Sequence, residues 1–207
     1  MRPGTRVGPY EIVAPLGTGG AGTVFRARSA DGREVAVKLL HRSDTEAFAR
    51  FDRERRLLAE LGEAQGFVPL LDAGASGGVP YIVMPLLAGG TLRKRLEGGA
   101  LSIEETVRLG AELARALGRA HARGVVHRDV KPENVLFAHP TRPLVADLGL
   151  GKHFAHEGLG RSASLSQTGA FKGTAGYMPP EQTRDTKSVG PPADVFALGA
   201  ILHECLA

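Results

Sequence analysis

The fold is decided by the stretch HRDVKPEN, residues 127–134. It is followed by DLG at residues 147–149 and by MPPE at residues 178–181. Two motifs precede it, GTGGAGTV at residues 17–24 and VAVK at residues 35–38. The glycine-rich motif alone is weak evidence for any one fold. The probability that all five motifs occur in this order by chance is negligible.

The glycine-rich stretch has two readings. A dinucleotide-binding turn uses the same spacing of Gly17, Gly19 and Gly22, but a helix must follow its glycines. Here residues 23–27 are β-branched and strand-like, which predicts a turn between two antiparallel strands. Its glycines let backbone N–H groups approach phosphate oxygens without a Cβ clash, whereas a plain flexible hairpin is the alternative.

Lys38, in an apolar strand, also has two possible interpretations. Lys38 shares a strand face with Ala36 and follows the glycine-rich hairpin, so it could reach nucleotide phosphates. A helix is predicted over residues 45–61, with Glu54 on its apolar stripe. A carboxylate on an inward face needs a buried partner, and Lys38 could provide it. An ordinary surface lysine is the alternative.

Hydrophobic periodicity predicts the other elements. Strands are expected at residues 10–16, 23–27, 34–40, 68–71 and 81–86. Helices are expected at residues 91–96, 103–123 and 193–206, the second opened by a capping box of Ser102 and Glu105. Residues 125–180 are expected to be rich in loops.

In order and spacing, the motifs resemble those of the protein kinase superfamily, over residues 17–194. YIVMPLLAGGTL, HRDVKPENVLF and GTAGYMPPEQ are similar to bacterial Hanks-type Ser/Thr kinases, and Lys131 and Thr174 favour Ser/Thr over Tyr specificity. The resemblance implies an α+β, two-lobed protein kinase fold with an ATP·Mg²⁺ cleft between the lobes. Residues 1–87 would form an antiparallel-sheet N-lobe with one main helix, and residues 88–207 a mostly helical, incomplete C-lobe.

The resemblance also implies the catalytic roles. Phosphoryl transfer needs positioned groups and neutralised charge, because its transition state spreads charge over the phosphoryl oxygens. Asp129 would orient the substrate hydroxyl and take its proton, and Lys131 would offset γ-phosphate charge. Asn134 and Asp147 would hold Mg²⁺, a hard cation that prefers oxygen ligands. Thr174 would link the catalytic residues to the substrate-binding segment.

The ATP site is implied in the same way. Lys38 would hold the α- and β-phosphates, and Glu54 would fix Lys38. The remaining nucleotide-binding residues are expected to line the phosphates, the adenine ring and the hinge: Leu16, Gly17, Thr18, Gly19, Gly20, Ala21, Gly22, Thr23, Val24, Ala36, Met84, Pro85, Leu87 and Leu136. For the apolar members of this set, a place in the core is the alternative.

Regulation by phosphorylation is expected too. Arg128 precedes the catalytic Asp129, a pattern of kinases that an activation-loop phosphate switches on. Ser166 and Thr168 lie where related kinases carry phosphosites, and a phosphate there could pair with Arg128. A solvated serine-rich loop is the alternative.

Three residues depart from the family pattern. Leu148 replaces Phe but stays apolar, Pro179 replaces Ala, and Pro85 replaces Glu while keeping its carbonyl. None of these changes removes a catalytic group, which argues against a pseudokinase or another inactive interaction module. A small-molecule kinase of the aminoglycoside type is a further alternative, and residues 173–181, which would bind a peptide, argue against it.

Composition limits the classes of partner and the cellular compartments that are expected for the protein. The net charge of +4 is scattered and aromatic residues make up 5%, which does not favour nucleic-acid binding. Cys205 is the one cysteine, so no disulfide forms within the chain, a reducing compartment fits, and the thiol is expected to be inert core. No signal peptide or apolar run of about 18 residues is seen, so no membrane segment is expected.

The same motifs lead to expectations for the partners, the location and the stability of the protein. The partners would be proteins with Ser or Thr acceptors, together with a second copy for trans-autophosphorylation. The location would be cytoplasmic, or the cytoplasmic part of a membrane-anchored kinase if the gene continues. The chain is expected to stop before the last helices of the C-lobe, so residues 1–207 alone are expected to aggregate or partly unfold, with little activity.

Overall fold

The structure, a computed structural model, describes residues 1–19, 22–40, 60–148, 175–184 and 189–207. The chain divides into two compact units. Strands β1–β6 belong to the first unit, and the described helices, with a two-stranded sheet, belong to the second.

The first unit is a six-stranded antiparallel sheet with the order β1-β2-β3-β4-β6-β5. Its strands are β1 (Arg6–Val7), β2 (Tyr10–Gly19), β3 (Gly22–Arg28), β4 (Glu34–Leu40), β5 (Asp72–Ser76) and β6 (Val79–Pro85). The predicted strands at residues 10–16, 23–27, 34–40 and 81–86 are confirmed with small shifts at their ends. In β4 the alternating side chains face two sides of the sheet: Val35, Val37 and Leu39 join a core with Phe25, Tyr81 and Val83.

The strand predicted at residues 68–71 is wrong. Pro69 cannot donate a backbone hydrogen bond, and strand β5 begins only at Asp72. Gly77 and Gly78, both with positive φ, form the two-residue turn that sets the register of β5 against β6. The turn chemistry, rather than the apolar run before it, fixes where this strand lies.

The second unit contains four described helices: α1 (Leu92–Leu96), α2 (Ile103–His121), α3 (Pro180–Arg184) and α4 (Pro192–Leu206). Strands β7 (Val135–His139) and β8 (Arg142–Val145) form an antiparallel hairpin. Short 3₁₀ turns cover Glu63–Gln65, Pro132–Asn134 and Ala175–Tyr177. This hairpin lies within residues 125–180, which were expected to be rich in loops, and it was not predicted because β7 and β8 are too short for a clear alternating pattern.

Helix α2 begins as predicted. The Ser102 hydroxyl accepts from the Glu105 amide at 3.2 Å, and the Glu105 carboxylate accepts from the Ser102 amide at 3.2 Å. The helix packs on α4, where a Cβ at Gly110 would lie 2.9 Å from a Leu202 methyl carbon. Glycine at this position therefore lets the two helices approach closely.

Helix α4 buries one side and exposes another. Ala193, Ala197, Ile201 and Cys205 are buried, as expected of a core helix. Val195 and Phe196, in contrast, are 63% and 46% exposed. The prediction that Cys205 lies in the core is confirmed, since its side chain is fully buried.

Candidate active site

Two predicted catalytic side chains and one predicted metal ligand meet after α2. The Lys131 ammonium donates to Oδ2 of Asp129 at 2.9 Å, and the Asn134 amide donates to the same oxygen at 3.2 Å. The Asn134 amide also donates to the backbone carbonyl of Asp129 at 2.8 Å. The 3₁₀ turn at Pro132–Asn134 bends the chain back so that these groups converge on one carboxylate.

The loop with Asp147 is tied to this turn. The Ala146 amide donates to the Asn134 carbonyl at 2.8 Å, directly before Asp147. Asp147 has φ 60°, a left-handed conformation that is uncommon for a residue with a Cβ. The backbone therefore holds the loop of Asp147 against the turn of Asn134, the other predicted metal ligand.

His127 is a fully buried link between the two loops. Its Nε2 donates to the carbonyl of Ala146 at 2.8 Å, and its Nδ1 accepts from the Asp129 amide at 3.2 Å. One ring nitrogen must donate and the other must accept, so these partners select the neutral Nε2–H tautomer. The imidazole thus serves as a fixed spacer beneath Asp129.

A buried carboxylate on α4 anchors the start of the catalytic stretch. Asp194 is fully buried and accepts from the amides of His127 and Arg128, each at 2.8 Å. Its Oδ2 also contacts Nε2 of His121 at 2.8 Å. Sequence reasoning assigned Asp194 no role. Asp194 lies in the first turn of α4, where acidic residues are common, so no pattern in the sequence marked it as a buried anchor.

A second polar cluster joins α1 and α4 to the catalytic turn. The Arg93 guanidinium donates to Glu133 at 2.8 Å, to Glu204 at 2.5 Å and to the Tyr177 hydroxyl at 2.7 Å. Tyr177 in turn donates to Glu204. The side chains of Arg93, Glu133 and Glu204 are about one-third to one-half exposed. No local pattern predicts that the residues of this cluster meet, because they are far apart in the chain.

The electrostatics of this cluster follow from its contacts. Burial acts to lower the pKa of Arg93, but the hydrogen bonds to Glu204, Glu133 and Tyr177 outweigh it and raise that pKa. Burial raises the pKa of Tyr177 to about 12, and its bond to Glu204 adds to the rise. For Glu204, burial acts to raise the pKa, yet the bonds from Tyr177 and Arg93 prevail and lower it. Arg93 and Glu204 therefore keep their charges, and Tyr177 stays neutral, in the physiological pH range.

The first unit places four predicted nucleotide-binding residues on one sheet face. Val24 pairs with Lys38 across β3 and β4, and Ala36 pairs with Met84 across β4 and β6. Directly paired residues point to the same side, and Ala36 and Lys38 are two positions apart. Lys38 is only 3% exposed, which rules out the alternative of a surface lysine.

Local packing explains one of the hairpin glycines and leaves two others unexplained. A Cβ at Gly22 would lie 2.1 Å from the carbonyl oxygen of Leu39, so the neighbouring strand demands glycine there. A Cβ at Gly17 or Gly19 would meet no atom within 4 Å among the described residues. The packing of the described sheet therefore explains Gly22 but does not explain Gly17 or Gly19.

The remaining predicted residues lie as follows. Leu16 is 51% exposed in β2, and the Thr18 and Thr23 hydroxyls are 3.4 Å apart across the hairpin. Pro85 pairs with Val35 at the end of β6. Leu87 and Leu136 belong to the second unit and are half-buried. Six predicted residues lie outside the described ranges: Gly20, Ala21, Glu54, Ser166, Thr168 and Thr174.

A model of the family described as protein kinase domain matches residues 10–207. The chain belongs to the protein kinase family. It is 39% identical to a probable serine/threonine-protein kinase, PkwA, of Thermomonospora curvata, over 98% of this chain and 27% of that protein. It is 36% identical to the serine/threonine-protein kinase PknL of Mycobacterium tuberculosis, over 95% of this chain and 49% of the relative. The chain thus spans about a quarter to a half of these relatives.

Solved structures agree with this family. The PknI kinase domain of Mycobacterium tuberculosis superposes with a TM-score of 0.75 at 25% identity, covering 100% of this chain and 77% of that one. The predicted α+β protein kinase fold is confirmed. In the described part of the chain, no helix has both the length and the apolar character needed to cross a bilayer.

Proposed function

We propose that this kinase chain transfers the γ-phosphate of ATP to Ser and Thr hydroxyls of protein substrates. The observation that carries the proposal is the Asp129 carboxylate, which Lys131 holds at 2.9 Å and Asn134 at 3.2 Å. Relatives that match nearly all of this chain are named serine/threonine-protein kinases. A pseudokinase would not need this arrangement of donors around a carboxylate.

Asp129 is the proposed base. Its carboxylate would accept a hydrogen bond from the substrate hydroxyl, orient it and take its proton late in the transfer. Lys131, bound to Asp129 in the structure, would offset charge on the transferred phosphoryl group. Both groups lie in one short loop, so their spacing is set before a substrate binds.

Asn134 and Asp147 are the proposed ligands of Mg²⁺. The Asn134 amide nitrogen is used in its bonds to Asp129, so its side-chain oxygen is the atom that would ligate a cation. A carboxylate and an amide oxygen suit a hard cation. When bound, Mg²⁺ would neutralise phosphate charge.

Lys38 and the hairpin glycines are the proposed phosphate contacts. Lys38 is buried on the face that also carries Val24, Ala36 and Met84. A Cβ at Gly17 or Gly19 would meet no described atom, so an approaching ligand gives those positions a reason for glycine. The pairing of Lys38 with Glu54 and the hinge roles of Pro85 and Leu87 remain part of the proposal.

Control by phosphorylation is part of the proposal. Ser166 and Thr168 would be the phosphosites, a second copy would phosphorylate them in trans, and their phosphates would pair with Arg128. Thr174 would connect this segment to the catalytic loop. A cytoplasmic location would supply the ATP.

The test separates the two carboxylates in the full-length protein. Asp129→Asn should lower kcat about 100-fold or more, as loss of a general base does, with the Kd of Mg-ATP changed by less than about twofold. Asp147→Ala should instead weaken nucleotide binding in the presence of Mg²⁺ and change it little in its absence. Asp31→Asn, the same chemical change at an exposed turn, is the control and should leave both quantities unchanged.

Two results would count against these roles. Full turnover of Asp129→Asn with labelled ATP would remove the base assignment. An unchanged Mg²⁺ dependence of binding in Asp147→Ala would remove the ligand assignment. Phosphate transfer to an aminoglycoside, and none to proteins, would favour the small-molecule kinase instead.

A further inference from the structure

Gln182 reaches the catalytic loop from a different part of the chain. It lies on α3, and its side chain is only 3% exposed. Its Nε2 donates to the backbone carbonyl of Arg128 at 2.8 Å, and the acceptor is a carbonyl, so the amide nitrogen must face it. None of the motif roles above involves this residue.

The carbonyl that Gln182 binds belongs to a strained residue. Arg128 has φ 62°, in the left-handed region that residues with a Cβ rarely adopt. Such a conformation persists only when the surroundings fix it. Side chains bind the backbone polar groups on both sides: Asp194 accepts from the Arg128 amide, and Gln182 donates to the Arg128 carbonyl.

The next residue is held in the same manner. The Asp129 amide donates to His127, and the Asp129 carbonyl accepts from Asn134. The Arg128 carbonyl and the Asp129 amide form one rigid peptide plane. Gln182 therefore holds one edge of the plane that precedes the proposed base, while His127 holds the other edge.

We propose that Gln182 is a positioning residue, which fixes the Arg128–Asp129 peptide plane and so aims the Asp129 carboxylate. This inference rests on the proposed function of Asp129. Gln182 lies on α3, which follows the turn Ala175–Tyr177. The orientation of the Asp129 carboxylate therefore depends on the position of this segment. Loss of the bond would rotate the plane without removing any group that touches substrate.

Two substitutions isolate the donor. Gln182→Met keeps a similar length and volume but removes the N–H. Gln182→Glu keeps the shape and sets an oxygen against the Arg128 carbonyl. Gln65→Met is the matched control, since the bond from Arg119 uses the backbone carbonyl of Gln65 and survives the change.

The first measurement is steady-state kinetics of the full-length protein with Mg-ATP and a Ser/Thr protein substrate. Both Gln182 variants should lose about 10- to 100-fold in kcat, with the KM for ATP changed by less than about twofold. Gln65→Met should match the wild type. A kcat within about twofold of the wild type in both Gln182 variants would overturn the inference, while an active wild type would leave the proposed function standing.

The second measurement needs no phosphate transfer. Amide hydrogen exchange should speed up at least about tenfold at Asp129 in Gln182→Met and stay unchanged at Leu113, in the buried face of α2. Unchanged exchange at Asp129 would overturn the inference even if the wild type proved inactive. An equal loss of protection at Leu113 would also overturn it, because it would show a general loss of stability.

Discussion

Asp194→Asn tests how the protein holds its catalytic loop. The carboxylate is fully buried and accepts three hydrogen bonds of 2.8 Å, from the His127 amide, the Arg128 amide and the His121 ring. Asparagine has almost the same shape, but it offers one acceptor oxygen and one NH₂ group. In either orientation the NH₂ group faces one of the backbone amides, so that buried amide loses its acceptor.

The expected loss of stability follows from the hydrogen bonds that the substitution removes or weakens. A buried backbone N–H without a partner costs about 1–3 kcal/mol, and the bonds that remain lose their charge assistance, about 1 kcal/mol. Asp194→Asn should therefore lower the free energy of unfolding by about 2–4 kcal/mol, a large part of an ordinary domain's margin of about 5–15 kcal/mol. Activity should fall as well, since Arg128 and Asp129 are held less firmly.

Urea unfolding followed by circular dichroism measures the change. Glu112→Gln is the control, because its ion pair with Arg115 is exposed and should contribute less than about 1 kcal/mol. The reasoning would be refuted if Asp194→Asn destabilised the protein by no more than the Glu112→Gln control.

Three further predictions concern the core, the thiol and the phosphosites. Ile201→Ala should cost about 2–5 kcal/mol in unfolding free energy, because the side chain is fully buried, whereas Val195→Ala, 63% exposed, should cost less than about 0.5 kcal/mol. Burial raises the pKa of the Cys205 thiol from 9.0 to about 11. The stability that the buried neutral thiol contributes is therefore complete below pH 9.0 and is lost as the pH rises through about 11. At neutral pH a thiol reagent should label only unfolded protein, and rapid labelling of the native protein would contradict this. Thr168→Ala combined with Ser166→Ala should remove autophosphorylation seen by mass spectrometry, and unchanged phosphate content and rate would exclude this loop as the switch.

The motifs predicted the fold because each one combines a local structure with a chemical group. The hairpin from β2 to β3 follows from glycines next to β-branched residues, and the start of α2 follows from the capping box at Ser102. The convergence of Asp129, Lys131 and Asn134 was foreseeable too, since six consecutive residues contain all three and a tight turn joins them.

The contacts that support the site were not foreseeable in the same way. Gln182 and Arg128 are 54 positions apart, and Arg93 and Glu204 are 111 positions apart, so no local pattern links either pair. Asp194 was no exception, because an acidic residue in the first turn of a helix is common and does not by itself indicate a buried partner. The strand at β5 was misplaced for a related reason: the Gly77-Gly78 turn outweighed the apolar run before it.

Phosphate transfer itself tests the central claim most directly. The full-length protein, purified and incubated with Mg²⁺, labelled ATP and a protein substrate, should place label on Ser and Thr residues of that substrate, as phosphoamino-acid analysis would show. The Asp129→Asn protein, prepared in the same way, should transfer label at least about 100-fold more slowly. Transfer by the wild type that did not exceed that of Asp129→Asn would contradict the assignment of this site as a protein kinase active site.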